Sequence, residues 1–120
     1  MKGTAEGFSG INATYLENIC GDDKEFIQQI IVAYKRLLNE FVDQSEAYLQ
    51  QQRWEAIASL THKIRSSSRF IGAQQLADEA LALEELCKSE SPQVGQVQVH
   101  LAHIRSLYVG LQPDLDLVLA

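Results

Sequence analysis

The sequence has few of the residues that interrupt helices or cross-link chains. Its 120 residues include only two prolines, seven glycines and two cysteines. Cys20 and Cys87 stand far apart without a metal-type spacing, which favours a reducing compartment over a disulfide. No stretch approaches the ~20 apolar residues that span a bilayer, and the N-terminus lacks the apolar core of a signal peptide. We therefore expect a cytoplasmic protein without a membrane segment.

The sequence also lacks the marks of several functional classes. The net charge is −6 and no basic tract alternates with aromatic residues, so we expect no nucleic-acid surface. There is no glycine-rich phosphate loop or Walker motif that would hold ATP. The serines at 66–68 are not accompanied by the Gly-x-Ser-x-Gly turn of a hydrolase. The sequence thus predicts neither a nucleotide-driven kinase nor a serine hydrolase.

Helical periodicity is what the sequence does contain. Apolar residues recur at spacings of three and four, with Asp22 or Asp23 as a candidate N-cap and Gly72 as a candidate stop. The pattern predicts an all-α fold, an antiparallel up-and-down four-helix bundle with a short extra N-terminal helix. The predicted long helices cover about 23–49, 53–71, 73–89 and 92–111, after a short helix over 11–20. We assign 1–10 to a flexible lead, 11–112 to the bundle and 113–120 to a C-terminal tail.

The third predicted helix contains a histidine on its polar side. At 100° per residue, His62 projects away from the apolar stripe and towards solvent. Ala58 and Ser66 lie one turn to either side of it, and both are small. A side chain on a helix leans towards the N-terminus, so a bulky residue at position 66 would obstruct access to the imidazole. His62 is therefore an accessible histidine in open surroundings.

Basic residues surround this histidine in the sequence. Lys63, Arg65 and Arg69 give a local charge of +3, and no acid occurs between Glu55 and Asp78. A histidine imidazole is mostly neutral at neutral pH and can attack phosphorus, while basic side chains stabilise the phosphoryl oxygens. An idle exposed histidine in a solvated charge run explains the same residues equally well. The residue pattern alone leaves both interpretations open.

A longer motif distinguishes between them. The run Thr-His-Lys-Ile-Arg-Ser-Ser-Ser-Arg-Phe-Ile-Gly-Ala resembles the signature of histidine phosphotransfer (HPt) domains: a histidine, a basic residue three later, small residues, then Gly-Ala. The likeness covers roughly 11–110. It includes Gly21-Asp22-Asp23 before a long apolar helix, Arg53-Trp54 at the start of the histidine helix, and Leu76 and Leu83-Glu84 after it.

The resemblance implies a site and a set of partners. HPt domains are helical bundles that pass a phosphoryl group between their histidine and the aspartate of receiver domains. By this resemblance His62 is the acceptor and Arg65 its basic neighbour. Lys63 occupies a position that is often basic, and Arg69 is expected to assist electrostatically. Ser66 departs from the family pattern, which most often has glycine, and it adds a hydroxyl that could crowd the phosphoryl group or donate a hydrogen bond to it.

The implied protein is a phosphoryl carrier rather than an enzyme, without ATP-binding or autokinase elements. Its expected partners are response-regulator receiver domains, with the receiver of a hybrid sensor histidine kinase as one candidate. The receiver would supply Mg²⁺, and this chain would need no cofactor. We expect a monomer. The alternative is a non-catalytic helical interaction domain in which the basic patch docks an acidic partner.

Other candidate residues are given structural interpretations. His100 and His103 are three apart on the last helix and could share a metal ion, but no nearby cysteine or repeated carboxylate completes a site. We therefore predict no bound metal. The adjacent acids Asp78-Glu79 and Glu84-Glu85 point about 100° apart on a helix, so we interpret them as solvated faces.

Overall fold

The computed structural model describes Asn18, Gly21 and residues 23–119. Within 23–119 the chain forms four helices and no strand: α1 Lys24–Gln50, α2 Trp54–Ile71, α3 Gln74–Cys87 and α4 Val94–Leu119. The predicted all-α class is confirmed. The flexible lead over 1–10 and the short helix over 11–20 lie outside the described residues, except that Asn18 is helical.

The first two helices have ends that the sequence predicts. The side chain of Asp23 caps α1 by accepting a hydrogen bond from the backbone N–H of Phe26, at 3.0 Å. Gly72 ends α2 with φ at 80°, a left-handed conformation that a residue without Cβ adopts at little cost. Only residues 51–53 and 72–73 separate the first three helices, so consecutive helices must run in opposite directions.

The helices pack as a closed bundle. Each helix contacts the next, and α4 returns to pack against α1. The bundle measures 45 × 24 × 21 Å, its length following that of the long α1. No helix in the described part of the chain is long and apolar enough to cross a membrane. Residues with no exposed surface at the centre of the core include Ile31, Leu38, Ile57, Ile64, Ala80, Leu83, Val97, Ile104 and Leu115.

The last helix runs beyond its predicted end. The sequence separates a tail at 113–120 from the bundle, but α4 continues through Pro113 to Leu119. A proline inside a helix removes one hydrogen bond, at a cost of about 3 kcal/mol. Pro113 lies on the exposed side of α4, whereas Leu115 is fully buried and continues the stripe after Leu111. Burial beyond the proline therefore keeps residues 113–119 in the bundle, and the predicted boundary is wrong.

Candidate functional site

His62 lies on the outward face of α2. Ile57 and Ile64 on the same helix are fully buried, whereas the side chain of His62 is 56% exposed. This is the orientation that the helical pattern predicts. Ala58, one turn before His62, is almost completely buried, and Ser66, one turn after it, is exposed. Neither side chain is large enough to cover the imidazole.

A glutamate from the neighbouring helix α3 contacts this histidine. An oxygen of Glu84, Oε2, lies 3.1 Å from Nδ1 of His62. The other oxygen, Oε1, accepts a hydrogen bond from Nε of Arg65 at 2.8 Å. Lys88 donates from Nζ to Oε2, also at 2.8 Å. One carboxylate therefore joins the histidine to two basic side chains.

Glu84 is buried although it is charged. The residue is only 3% exposed, which would by itself favour the neutral acid. Burial raises the pKa of Glu84, but the hydrogen bonds from Lys88, Arg65 and His62 outweigh burial and lower the pKa to about 2. The carboxylate is consequently ionised at neutral pH, and it presents a fixed negative charge to the imidazole.

The interpretation of Glu84 as part of a solvated face is wrong. Its position on α3 gives a signal that could have been used: Glu84 is seven residues after Ala77 and four after Ala80, and both alanines are buried. A glutamate on an apolar face requires a partner. The sequence does not say which partner, because the contact depends on how α3 packs against α2.

The three basic residues Lys63, Arg65 and Arg69 do not form one continuous basic surface around His62. The guanidinium of Arg65 is bound to Glu84, and its Nη2 lies 3.0 Å from Nδ1 of His62. Lys63 is exposed beside the histidine. Arg69 and Ser66 are exposed farther along α2, and neither side chain forms a hydrogen bond or ion pair within residues 23–119. The surroundings of the histidine are therefore not free of acidic groups.

An open groove of about 760 Å³ lies beside His62, between α2 and the end of α3. Lys63 and Lys88 line it together with the carboxylates of Glu55, Glu84 and Glu90. Basic and acidic groups are mixed along this surface. The groove gives an incoming group access to the imidazole from the C-terminal end of α3.

The ring nitrogens of His62 have different surroundings. Nδ1 is the atom near Glu84 and Arg65, whereas Nε2 makes no hydrogen bond to any residue in 23–119. A proton on Nδ1 that is donated to Glu84 leaves the lone pair of the imidazole on Nε2. The arrangement can therefore present Nε2 as a nucleophile on an exposed ring.

The serines of α2 divide into exposed and buried positions. Ser68 is completely buried, and its hydroxyl is hydrogen-bonded to the hydroxyl of Tyr34 on α1 at 2.6 Å. Burial raises the pKa of Tyr34 well above its ordinary value, and the hydrogen bond between Tyr34 and Ser68 offsets this only in part. Ser68 therefore has a structural partner and is not positioned as a nucleophile.

A second group of side chains lies between α3 and α4. Glu79, which we expected to be solvated, accepts hydrogen bonds from both His100 and His103. We predicted that no nearby cysteine or repeated carboxylate completes a site with the two histidines, but in the folded chain one carboxylate, that of Glu79, contacts both of them. The sequence contains no sign of this contact because Glu79 is about twenty residues away on another helix.

Comparison with known proteins places the chain in a family. The sequence model of the Hpt domain matches residues 29–117. Virulence sensor protein BvgS of Bordetella bronchiseptica is 27% identical over 99 residues, which cover 79% of this chain and 8% of that protein. BvgS of Bordetella parapertussis shows the same values, and BvgS of Bordetella pertussis is 26% identical over 99 residues, with the same coverage.

The chain thus spans about 8% of the length of these curated relatives. No solved structure matches it significantly. The Hpt match covers α2 and α3 completely and most of α1 and α4, so it includes the histidine helix and the helices that pack against it. The chain therefore belongs to the family of Hpt domains, helical histidine phosphotransfer modules of phosphorelays that carry a phosphoryl group rather than turn over a substrate.

Proposed function

We propose that His62 is the phosphoryl-accepting residue of this domain and that Nε2 is the accepting atom. One observation supports this assignment above the others: a half-exposed imidazole whose Nδ1 contacts the buried carboxylate of Glu84. The other two histidines lie together on α4, and both contact Glu79. Only His62 lies on the helix that matches the Hpt signature.

The transfer step follows from this arrangement. The lone pair of Nε2 attacks the phosphorus of a phosphorylated aspartate on a receiver domain. The bond between phosphorus and the aspartyl oxygen breaks, and its electrons leave with the restored carboxylate. The phosphorylated imidazole keeps its proton on Nδ1 and is cationic, so the negative charge of Glu84 stabilises it. Passage to a second receiver is the same step in reverse.

The basic residues take different roles in this proposal. Lys63, exposed beside His62, and Lys88, which also lines the groove, can approach the phosphoryl oxygens. Arg65 is hydrogen-bonded to Glu84, so we assign it the role of positioning the carboxylate. A guanidinium can only donate, so a hydrogen bond from Nη2 of Arg65 requires an unprotonated Nδ1, whereas a hydrogen bond to Glu84 requires a proton on Nδ1. Arg65 therefore influences which nitrogen of His62 holds the proton.

Ser66 and Arg69 contribute from the periphery of the site. Ser66 is small enough to leave access to Nε2, and its hydroxyl, which forms no hydrogen bond within residues 23–119, is available to the phosphoryl group. Arg69 is exposed two turns after His62, where it would pair with acidic groups on a docked receiver. Their roles in this proposal depend on the partner and not on contacts with residues 23–119 of this chain.

We further propose that the domain works as a monomeric carrier without ATP-binding or autokinase elements of its own. Its partners are response-regulator receiver domains, and Mg²⁺ belongs to the receiver. Hpt domains of hybrid kinases interact with receiver domains, which is the basis for this assignment. The cytoplasmic location stays a prediction from the sequence.

The assay for this function follows a phosphoryl label. The purified chain is mixed with a panel of phosphorylated receiver domains, and label on the chain is measured after acid and after alkali. We expect acid-labile, alkali-stable label that disappears in His62→Gln. His103→Gln is the matched control, because the side chain of His103 is 61% exposed, close to the 56% of His62. Label that persists in His62→Gln would contradict the assignment.

The alternative of an interaction domain without transfer predicts a different result. A receiver would then bind the parent chain, and no label would move from any member of the panel. The mixed charges of the groove give this alternative less support than the sequence alone does, because a docking patch for acidic partners requires a positive surface.

A further inference from the structure

The side chains of Glu79, His100 and His103 form a cluster that the phosphotransfer site does not use. Nδ1 of His100 lies 2.8 Å from Oε2 of Glu79, and Nδ1 of His103 lies 2.8 Å from Oε1 of the same carboxylate. The two rings meet edge to face, with centroids 6.3 Å apart. Two imidazoles from α4 and one carboxylate from α3 therefore converge on one point.

The spacing of these groups suits a small metal ion. One ligand atom from each of the three residues can be chosen so that all lie within 4.8 Å of one another. Ligands of a tetrahedral zinc ion, at bonds of about 2.0–2.2 Å, stand roughly 3.3–3.5 Å apart. The three groups therefore lie near coordination spacing, and an ion would draw their ligand atoms closer together through side-chain rotation.

The surroundings of the cluster also favour a cation. Glu79 and His103 line a groove of about 470 Å³ together with Gln75, Asp78, Ser106 and Leu107, which include no lysine or arginine. The nearest arginine on α4, Arg105, is paired with Glu46 on α1. Two neutral imidazoles and one carboxylate offer a charge of −1 to a dication. The open groove leaves a fourth coordination position for water or another ligand.

We propose that Glu79, His100 and His103 form a binding site for a divalent transition metal ion of the Zn²⁺ type. Two imidazole donors select such an ion over Mg²⁺ or Ca²⁺, which prefer oxygen ligands. The bound ion would clamp α3 to α4 on a different face of α3 from Glu84. The proposal does not depend on the phosphoryl-accepting role of His62.

The other explanation of the cluster is a hydrogen-bonded ion pair without metal. In that arrangement Glu79 accepts a hydrogen bond from each histidine, and removing one histidine removes only its own hydrogen bond. The two explanations differ in what they predict when Zn²⁺ is added, so metal binding distinguishes them.

The experiment titrates the metal-free 120-residue chain with Zn²⁺ alone in a calorimeter, with Mg²⁺ as the comparison ion. We expect one Zn²⁺ per chain and no detectable binding of Mg²⁺. His103→Gln and His100→Gln should each weaken Zn²⁺ binding by more than about tenfold, since even indirect supports of a metal site cost 10–100-fold. Glu85→Gln replaces an exposed glutamate of α3 outside the cluster; it is the control and should bind like the parent.

Thermal unfolding provides a second readout, because an ion that binds only the native state raises the melting temperature. Zn²⁺ should raise the melting temperature of the parent chain and of Glu85→Gln, but not that of His103→Gln. Because the side chain of His103 is exposed, we expect the His103→Gln variant to fold, and circular dichroism checks that it does. Zn²⁺ binding that is absent in the parent, or unchanged in the double variant His100→Gln/His103→Gln, would overturn the proposal.

Discussion

At the scale of single residues, Glu84 is the most informative side chain in the domain. An ionised carboxylate that is 3% exposed is costly unless donors replace its lost water. Arg65 and Lys88 provide such donors, and His62 provides a third contact. The same contacts that make burial tolerable also orient the histidine, so Glu84 contributes both to the stability of the fold and to the proposed phosphoryl transfer.

Replacing Glu84 by glutamine tests this connection. Glu84→Gln keeps the shape of the side chain but removes its charge, and we expect a loss of about 2 kcal/mol in the free energy of unfolding. Phosphoryl transfer to His62 should also slow, because the cationic phosphoimidazole loses its counter-charge. Urea denaturation measures the first effect and the receiver assay the second. Glu85→Gln, the exposed neighbour, should match the parent in both, and equal behaviour of the two variants would contradict the role of Glu84.

The pH dependence of stability provides an independent test. The folded-state pKa of Glu84 is about 2, below the ordinary value of 4.5, so its contribution to stability is fully present above pH 4.5. It is lost as the pH falls from 4.5 through 2. The free energy of unfolding of the parent should therefore fall more steeply over this range than that of Glu84→Gln. Parallel pH profiles of the two proteins would show that the carboxylate is not stabilised by its partners.

Residue-scale features were predictable where they depend on a single helix. The outward direction of His62 follows from the angle between residues along α2, and the structure confirms it. The partners of Glu84 and Glu79 depend on contacts between helices, which the periodicity of one helix does not specify. Both glutamates were accordingly misinterpreted as solvated.

At the scale of elements, α4 shows how packing overrides a local signal. Pro113 favours an end to the helix, yet α4 continues for six more residues to Leu119. The contacts beyond the proline include Leu115 in the core and a hydrogen bond from the Gln28 side chain to the carbonyl of Leu119. Asp23 and Gly72 were predictable ends because a cap and a left-handed turn are local properties, whereas burial after Pro113 is not.

Two leucines near the end of α4 test this account. Leu115 is fully buried, whereas Leu117 is 61% exposed. We expect Leu115→Ala to destabilise the fold by about 2–4 kcal/mol, as is typical of a leucine deleted from a core. Leu117→Ala should change stability by less than about 0.5 kcal/mol. Chemical denaturation of both variants gives the comparison, and similar small effects would mean that residues 113–119 are a tail after all.

At the scale of the whole molecule, the bundle separates two chemical environments. The α2 and α3 pair presents His62 in a groove with both lysines and glutamates, whereas the α3 and α4 pair gathers two histidines around one glutamate. The short α3 contributes one carboxylate to each environment, Glu84 to the first and Glu79 to the second, and the two residues are five apart in the sequence. The four-helix fold was predictable from periodicity, but this use of α3 was not, because it depends on which faces of the helix meet its neighbours.

The central claim is that the phosphoryl group is attached to Nε2 of His62. Nitrogen-15 NMR of the chain, labelled in its imidazoles and phosphorylated by a receiver domain, measures this directly. We predict a nitrogen–phosphorus coupling at Nε2 of His62, with a proton retained on Nδ1 and with His100 and His103 unmodified. A phosphoryl group on Nδ1 of His62, or on either of the other histidines, would contradict the account.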